Sequence, residues 1–167
     1  MAERLMGWVS NTNEPKRVNR YEILFTDDLR LTCKSANIPD INIDKQEIHR
    51  MHNLYKVAAA KVTYGDFTCS FYDFVDNKAS AALDTWHKQV YNRDTSLMGF
   101  PADYKQNLTL LVYGPDHSVV ESWLLVGAWP SDIKRSSTLD WTDNGKPIEV
   151  NVTFHIDEAK LILSSGV

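Results

Sequence analysis

The sequence predicts a mainly β fold with one packed α-helix. Three patterns in the 167 residues carry that expectation. Ile148, Val150, Val152, Phe154 and Ile156 alternate with Glu149, Asn151, Thr153, His155 and Asp157, which is the period of a strand with one buried face. Turn-forming residues punctuate the C-terminal half at Gly114, Pro115, Asp116 and His117, and again at Asp143, Asn144 and Gly145. Ala79, Leu83, Trp86 and Val90 fall at i, i+4, i+7 and i+11, a single apolar helical stripe.

Taken in order, residues 1–19 are polar and read as an N-terminal arm outside the main domain. Tyr21, Ile23 and Phe25 alternate with Glu22 and Leu24, predicting a first strand. Asp27 and Asp28 read as a turn, and Leu29, Leu31 and Cys33 as the strand that returns, together a hairpin. Residues 37–61 form a long excursion with strand character around 41–50 and 54–58 and isoleucines scattered among charges. Segments of this length outside a core are commonly functional. Val62, Tyr64, Phe67, Cys69 and Phe71 form a β-rich run broken by Gly65 and Asp66. The helix is expected over 77–91, capped by Asp76 or Asn77, whose short acceptor side chains suit free backbone N–H groups. Strands follow over 107–112 and 119–126. Gly127, Ala128, Trp129 and Pro130 read as an interruption, with another extended segment over 131–140. The strand over 148–157 closes the domain 20–157, and 158–167 is a C-terminal extension. Its register is well specified, since a one-residue slip would turn the whole apolar face outward.

Composition narrows the function. Hydrophobic residues make up 43% and charged residues 24%, ordinary values for a globular protein. With 18 basic and 22 acidic residues the net charge is −4, which argues against a generally basic nucleic-acid binder. Two cysteines, Cys33 and Cys69, are too few for a disulfide framework and read as buried thiols. No signal-peptide pattern or long apolar span is present, so synthesis in the cytoplasm is expected.

Catalytic constellations do not assemble. His49 and His52 lack the glutamate and the spacing of a zincin helix. Asp116, His117 and Ser118 are consecutive in a turn and cannot form the hydrogen-bond chain of a triad. Asp84 and His87 are helical neighbours at i, i+3 and read as a surface pair. We assign no catalytic, cofactor or metal site.

Assembly is signalled instead. Amphipathic strands leave edges that invite pairing with other chains. Leu5, Met6, Trp8 and Val9 interrupt an otherwise polar arm and suggest docking on a partner. Trp86 reads as core, while Trp123, Trp129 and Trp141 read as either core or interface anchors.

These residues resemble the tail tube proteins of contractile-tailed phages. Pro101 to Lys105 is similar to the family's segment before its central strand pair. Gly127 to Pro130 resembles its Gly-x-Trp-Pro turn. Leu139, Asp140 and Trp141, then Ile148 through Asp157, resemble its closing strands. In the N-terminal half, Tyr21 to Phe25, Ala36 to Pro39, and Gly65 to Phe67 ahead of the helix keep the family's layout. The resemblance covers about 20–157. It departs after Asp157, where the family favours an aromatic and this chain has Glu158.

The resemblance implies a virion protein of the phage tail, each subunit a small β-barrel or sandwich flanked by one helix. Six subunits would form a ring, rings would stack into a hollow tube, and strands of neighbouring subunits would join in an inner barrel. Expected partners are further copies of the chain, the tail sheath protein, the baseplate tube initiator and the tail terminator. Phage DNA would occupy the lumen without sequence-specific binding. The excursion 37–61 would help join rings, and the termini would lie near ring–ring contacts. Candidate inter-subunit contacts are Leu5, Met6, Trp8 and Val9 in the arm, and Ile41, Ile43, Ile48, His49, Met51, Leu54 and Tyr55 in the excursion. The net negative charge suggests an acidic bore that repels DNA. A DNA-free phage-tail-like bacteriocin would use the same tube. A different class, a small β-barrel module for an apolar ligand, predicts a monomer with a closed pocket.

Overall fold

The computed structural model describes residues 15–25, 27–30, 32–135, 139–142 and 145–163. Elements run β1 (Tyr21–Leu24), α1 (Asp27–Arg30), β2 (Cys33–Ala36), β3 (Ile41–Arg50), β4 (Asn53–Tyr64), β5 (Phe67–Tyr72) and α2 (Lys78–Val90). They continue β6 (Tyr91–Asn92), β7 (Leu97–Met98), α3 (Pro101–Tyr104), β8 (Gln106–Tyr113), β9 (Val119–Arg135), β10 (Glu149–His155) and β11 (Glu158–Leu163).

Seven strands form a continuous antiparallel array in the order β1, β8, β9, β10, β5, β2, with β11 also on β9. The array folds into two layers because β9 belongs to both. Its first half pairs with β8 and β11, and its second half pairs with β10. The inner faces meet in one core that includes Ile23, Leu108, Leu110 and Leu125 from one layer and Phe67, Phe71, Val150, Val152 and Phe154 from the other. Strict alternation places these side chains inward. The helix α2 adds Ala79, Leu83 and Trp86 to the same cluster. Trp86 stacks 5.4 Å from Phe154, and its indole Nε1 donates to the Tyr104 carbonyl at 2.6 Å.

The layers do not close into a barrel. The β1 and β2 edges have no ladder partner beyond β8 and β5 among the described residues. A side chain bridges them: the Tyr21 hydroxyl donates to the Lys34 carbonyl at 2.6 Å. Burial pushes the Tyr21 phenol up to about 12, with Cys33 beside it, so the group stays a neutral donor.

Several expected boundaries move. Asp27 and Asp28 do not turn a hairpin. They open the short helix α1, which carries the chain from one layer to the other. The returning strand begins at Cys33 and pairs with β5, not with β1. Leu31 lies outside the described residues. The residues Gly127 to Pro130 do not interrupt a strand. They bend one 17-residue strand, β9, at the point where it changes layer. Pro130 sits beside a bulge, where a missing N–H is tolerated, and Ser131 fills the irregularity by donating from Oγ to the Thr153 carbonyl at 3.0 Å. Helix α2 starts at Lys78. Asn77 precedes it in a left-handed conformation and makes no side-chain cap, while Asp76 accepts from the Lys78 N–H at 3.3 Å. The residues after Asp157 form β11, an edge strand on β9. The turn expected at 143–145 lies mostly outside the described residues.

Candidate functional site

The excursion is a β-hairpin that stands off the sandwich. β3 and β4 pair only with each other, and every residue of β3 is exposed. The hairpin leaves the domain at the contact of the Gly65 N–H with the Asp40 carbonyl, 2.8 Å. An isolated two-stranded ribbon is marginal in water, because neither face is buried. This one is nonetheless apolar. Cross-strand pairs set Ile43 against Val62, Ile48 against Tyr55 and His49 against Leu54. Ile41, Ile43, Ile48, Leu54 and Tyr55 are all exposed, as are Val57 and Val62, which were not among the expected contacts. At the tip, Met51 is 99% exposed and holds φ at 51°. A methionine in that left-handed region is disfavoured relative to glycine or asparagine. The tip thus presents an unbranched apolar side chain to solvent from a strained backbone position.

The structure thus brings seven expected contact residues onto one ribbon. Leu5, Met6, Trp8 and Val9 lie outside the described residues. Further exposed apolar side chains were missed: Val75 ahead of α2, and Leu97, Met98 and Phe100 in and just after the β6–β7 pair. Helical and strand periodicity report which face is buried, so residues in short connecting pieces escape it. Of the undecided tryptophans, Trp123 is core and Trp141 is fully exposed. Trp129 packs edge-on between Tyr104 and His155, at 5.9 and 5.1 Å.

The base of the described arm is tied down. Lys16 pairs with Glu121, a buried carboxylate that also accepts from the Trp123 indole N–H. The Lys16 hydrogen bond holds the Glu121 carboxyl below its ordinary range, against the opposing effect of burial. A depressed folded value means the stabilisation is complete above the unfolded glutamate pKa of about 4.3 and is lost as pH falls through the folded one. We expect Glu121→Gln to flatten the decline of melting temperature below that pH, by under about 1 kcal/mol since Lys16 is half exposed. An unchanged acid slope in calorimetry would show that the pair contributes nothing.

No arrangement for catalysis emerges among the described residues. Asp116 accepts from both the N–H and the hydroxyl of Ser118, which closes a turn and holds its carboxyl low. His49 lies in β3 and His52 in the tip. Among the described residues, no group of three or more His, Cys, Asp or Glu side chains is placed to hold a metal ion. No described helix is long and apolar enough to cross a membrane. Cys33 and Cys69 are free; burial pushes the Cys69 thiol well up, so it stays protonated.

The described residues thus form a two-layer sandwich flanked by the long helix α2, with a hairpin that stands off it. The phage tail tube protein family model matches residues 6–158, and the chain belongs to that family. The family is structural and is not a class of enzyme. No curated protein matches the chain. Among solved structures, the anti-feeding prophage tube-terminating cap is 18% identical with a TM-score of 0.72, covering 90% of this chain and 93% of that one. The sheath–tube complex of an extracellular contractile injection system, termed PVC, gives 16% identity and a TM-score of 0.72 over 92% and 95%. Hcp1 from Flavobacterium johnsoniae gives 8% identity and a TM-score of 0.52 over 85% and 94%. At these identities the likeness is one of fold.

Proposed function

We propose that the protein polymerises as stacked hexameric rings into the inner tube of a contractile phage tail, through which DNA passes when the sheath contracts. The observation that carries this reading is the exposed apolar hairpin Ile41 to Tyr64 on a sandwich whose layers remain open. An open array can complete a barrel by adding strands from other copies, and among the described residues the hairpin pairs with no other strand and stays exposed. The sheath protein, a tube terminator and a baseplate initiator are the partners, in keeping with the complexes in which proteins of this fold occur.

Negative-stain microscopy of the purified protein, alone and with the other tail components, tests the reading. Tubes of uniform width are expected, and a 19.1 kDa monomer under every condition would overturn it. The variant Ile43→Thr/Ile48→Thr/Tyr55→Thr keeps strand propensity across the Ile48–Tyr55 pair, and it should keep the wild-type circular dichroism and thermal transition because all three side chains are exposed. It should nevertheless fail to extend tubes. Wild-type tube lengths from that variant would exclude the hairpin as the joint.

A DNA-free phage-tail-like bacteriocin is the second reading, favoured by fold likeness to an extracellular injection system. Nucleic acid released from purified native particles would decide for the phage tail.

A further inference from the structure

The outward face of the layer formed by β2, β5, β10 and the second half of β9 has an unusual composition. Phe67, Cys69, Phe71, Val150, Val152 and Phe154 point inward. The alternate residues Thr68, Ser70, Asn151 and Thr153 therefore point out, joined by Ser35 and Asn37. These short neutral side chains, together with Lys134, line a shallow hollow of about 470 Å³. None of the exposed large apolar side chains belongs to this group. Ser70 donates to Asn151 across the β5–β10 pair, so the centre of the face is already hydrogen-bonded to itself.

The charges around this centre are compensated in place. Lys34 pairs with Glu149 at 2.5 Å and Lys134 with Asp132 at 3.0 Å. The imidazole Nδ1 of His155 lies 2.6 Å from Asp66. Arg135, next along β9, is paired with the inward-pointing Val150 and so alternates away from Lys134; it lines a cleft with Asp84 and His87 of α2, which Asp132 also borders. Both lysines on the face are thus matched by a carboxylate of the same face. A polyanion is held on a surface by lysines and arginines that displace its counterions. A lysine already paired with a neighbouring carboxylate gains little by that exchange.

We propose that this face is the wall of the bore, and that Glu149 and Asp132 mask Lys34 and Lys134 so that a nucleic acid slides past without being held. The inference rests on the tube reading and refines the expectation of an acidic bore: the wall repels little and binds little, by local pairing rather than by a surplus of negative charge. Concavity, short side chains and the lack of exposed large apolar groups all suit a surface past which a hydrated polymer moves.

Two measurements on assembled tubes test it. In Asn151→Cys tubes, a small maleimide should label the new thiol, and a maleimide carried on a particle wider than the bore should not. Cys69 is buried and Cys33 partly buried, and wild-type tubes carrying both set the background. Thr153→Cys serves the same purpose if the first variant does not assemble. A Lys88→Cys control on the exposed side of α2 should accept both reagents. Second, Glu149→Gln/Asp132→Asn tubes should retain duplex DNA fragments on pelleting, with retention lost as salt is raised, whereas wild-type tubes retain none. Free access of the wide reagent to residue 151 or 153, or equal DNA retention by both kinds of tube, overturns the inference and leaves the tube reading standing. If the wild-type chain forms no tubes at all, it is the tube reading that fails, and the bore with it.

Discussion

Phe154→Ala is expected to lower the unfolding free energy of the unassembled chain by about 3–5 kcal/mol. The ring is fully buried and stands where three other aromatics converge. Phe25 is 5.8 Å away, Phe67 6.0 Å and Trp86 5.4 Å, contributed by the exit of β1, by β5 and by α2. Truncation removes the transfer free energy of the ring and leaves a void whose walls come from three separate elements. Those walls are held by ladders and by the Trp86 hydrogen bond to Tyr104, so they cannot collapse together. Chemical denaturation monitored by tryptophan fluorescence gives the number. A loss below about 1.5 kcal/mol would mean that the site relaxes freely and that the aromatic cluster is not the centre of the core.

Gly127→Ala is expected to be nearly as damaging, at about 2–3 kcal/mol, although it adds a single methyl group. Gly127 has φ at 66°, a left-handed conformation that a side chain disfavours. An added Cβ would also lie 2.2 Å from Asp157 Oδ2 and 2.8 Å from its Cγ. Asp157 cannot move away without loss, since both of its oxygens accept from Lys105 Nζ at 2.7–2.8 Å. The Gly127 N–H is in turn fixed by Asn107 Oδ1 at 3.1 Å. Adding Asp157→Ala to Gly127→Ala should recover part of the lost stability, because it relieves the overlap but not the backbone strain. Strict additivity of the two substitutions in denaturation midpoints would refute the steric account.

Such close fits were invisible in the sequence, where Gly127 and Pro130 looked like the end of a strand. A glycine announces conformational freedom but not whether the chain stops or bends. The same limit explains the misplaced hairpin at the start. Alternation in Tyr21 to Phe25 reports that one face is buried, not which strand lies alongside, and the partner proved to be β8, more than eighty residues on. Where one face is buried by the whole array, as at Val150, Val152 and Phe154, the period is clean and the reading is direct. The helix stripe was legible for the same reason, since Ala79, Leu83 and Trp86 all face one core. The excursion could be recognised because isoleucines among charges fit neither a core strand nor a solvated loop. The exposed group around Phe100 could not, because its residues come from short pieces with no period to betray them. β11 was missed because only Ala159 of its six residues is buried.

The shared strand has a mechanical consequence. In a sandwich joined only by loops and side-chain packing, thrust on one layer can make it glide over the other. Here the backbone of β9 runs through both layers, over about 55 Å of chain if fully extended. Displacing one layer along that direction means shearing its rows of hydrogen bonds together, not peeling them one by one from an end. A subunit so tied transmits an axial push as a single stiff piece, and the compliance of any stack built from it resides in the contacts between copies.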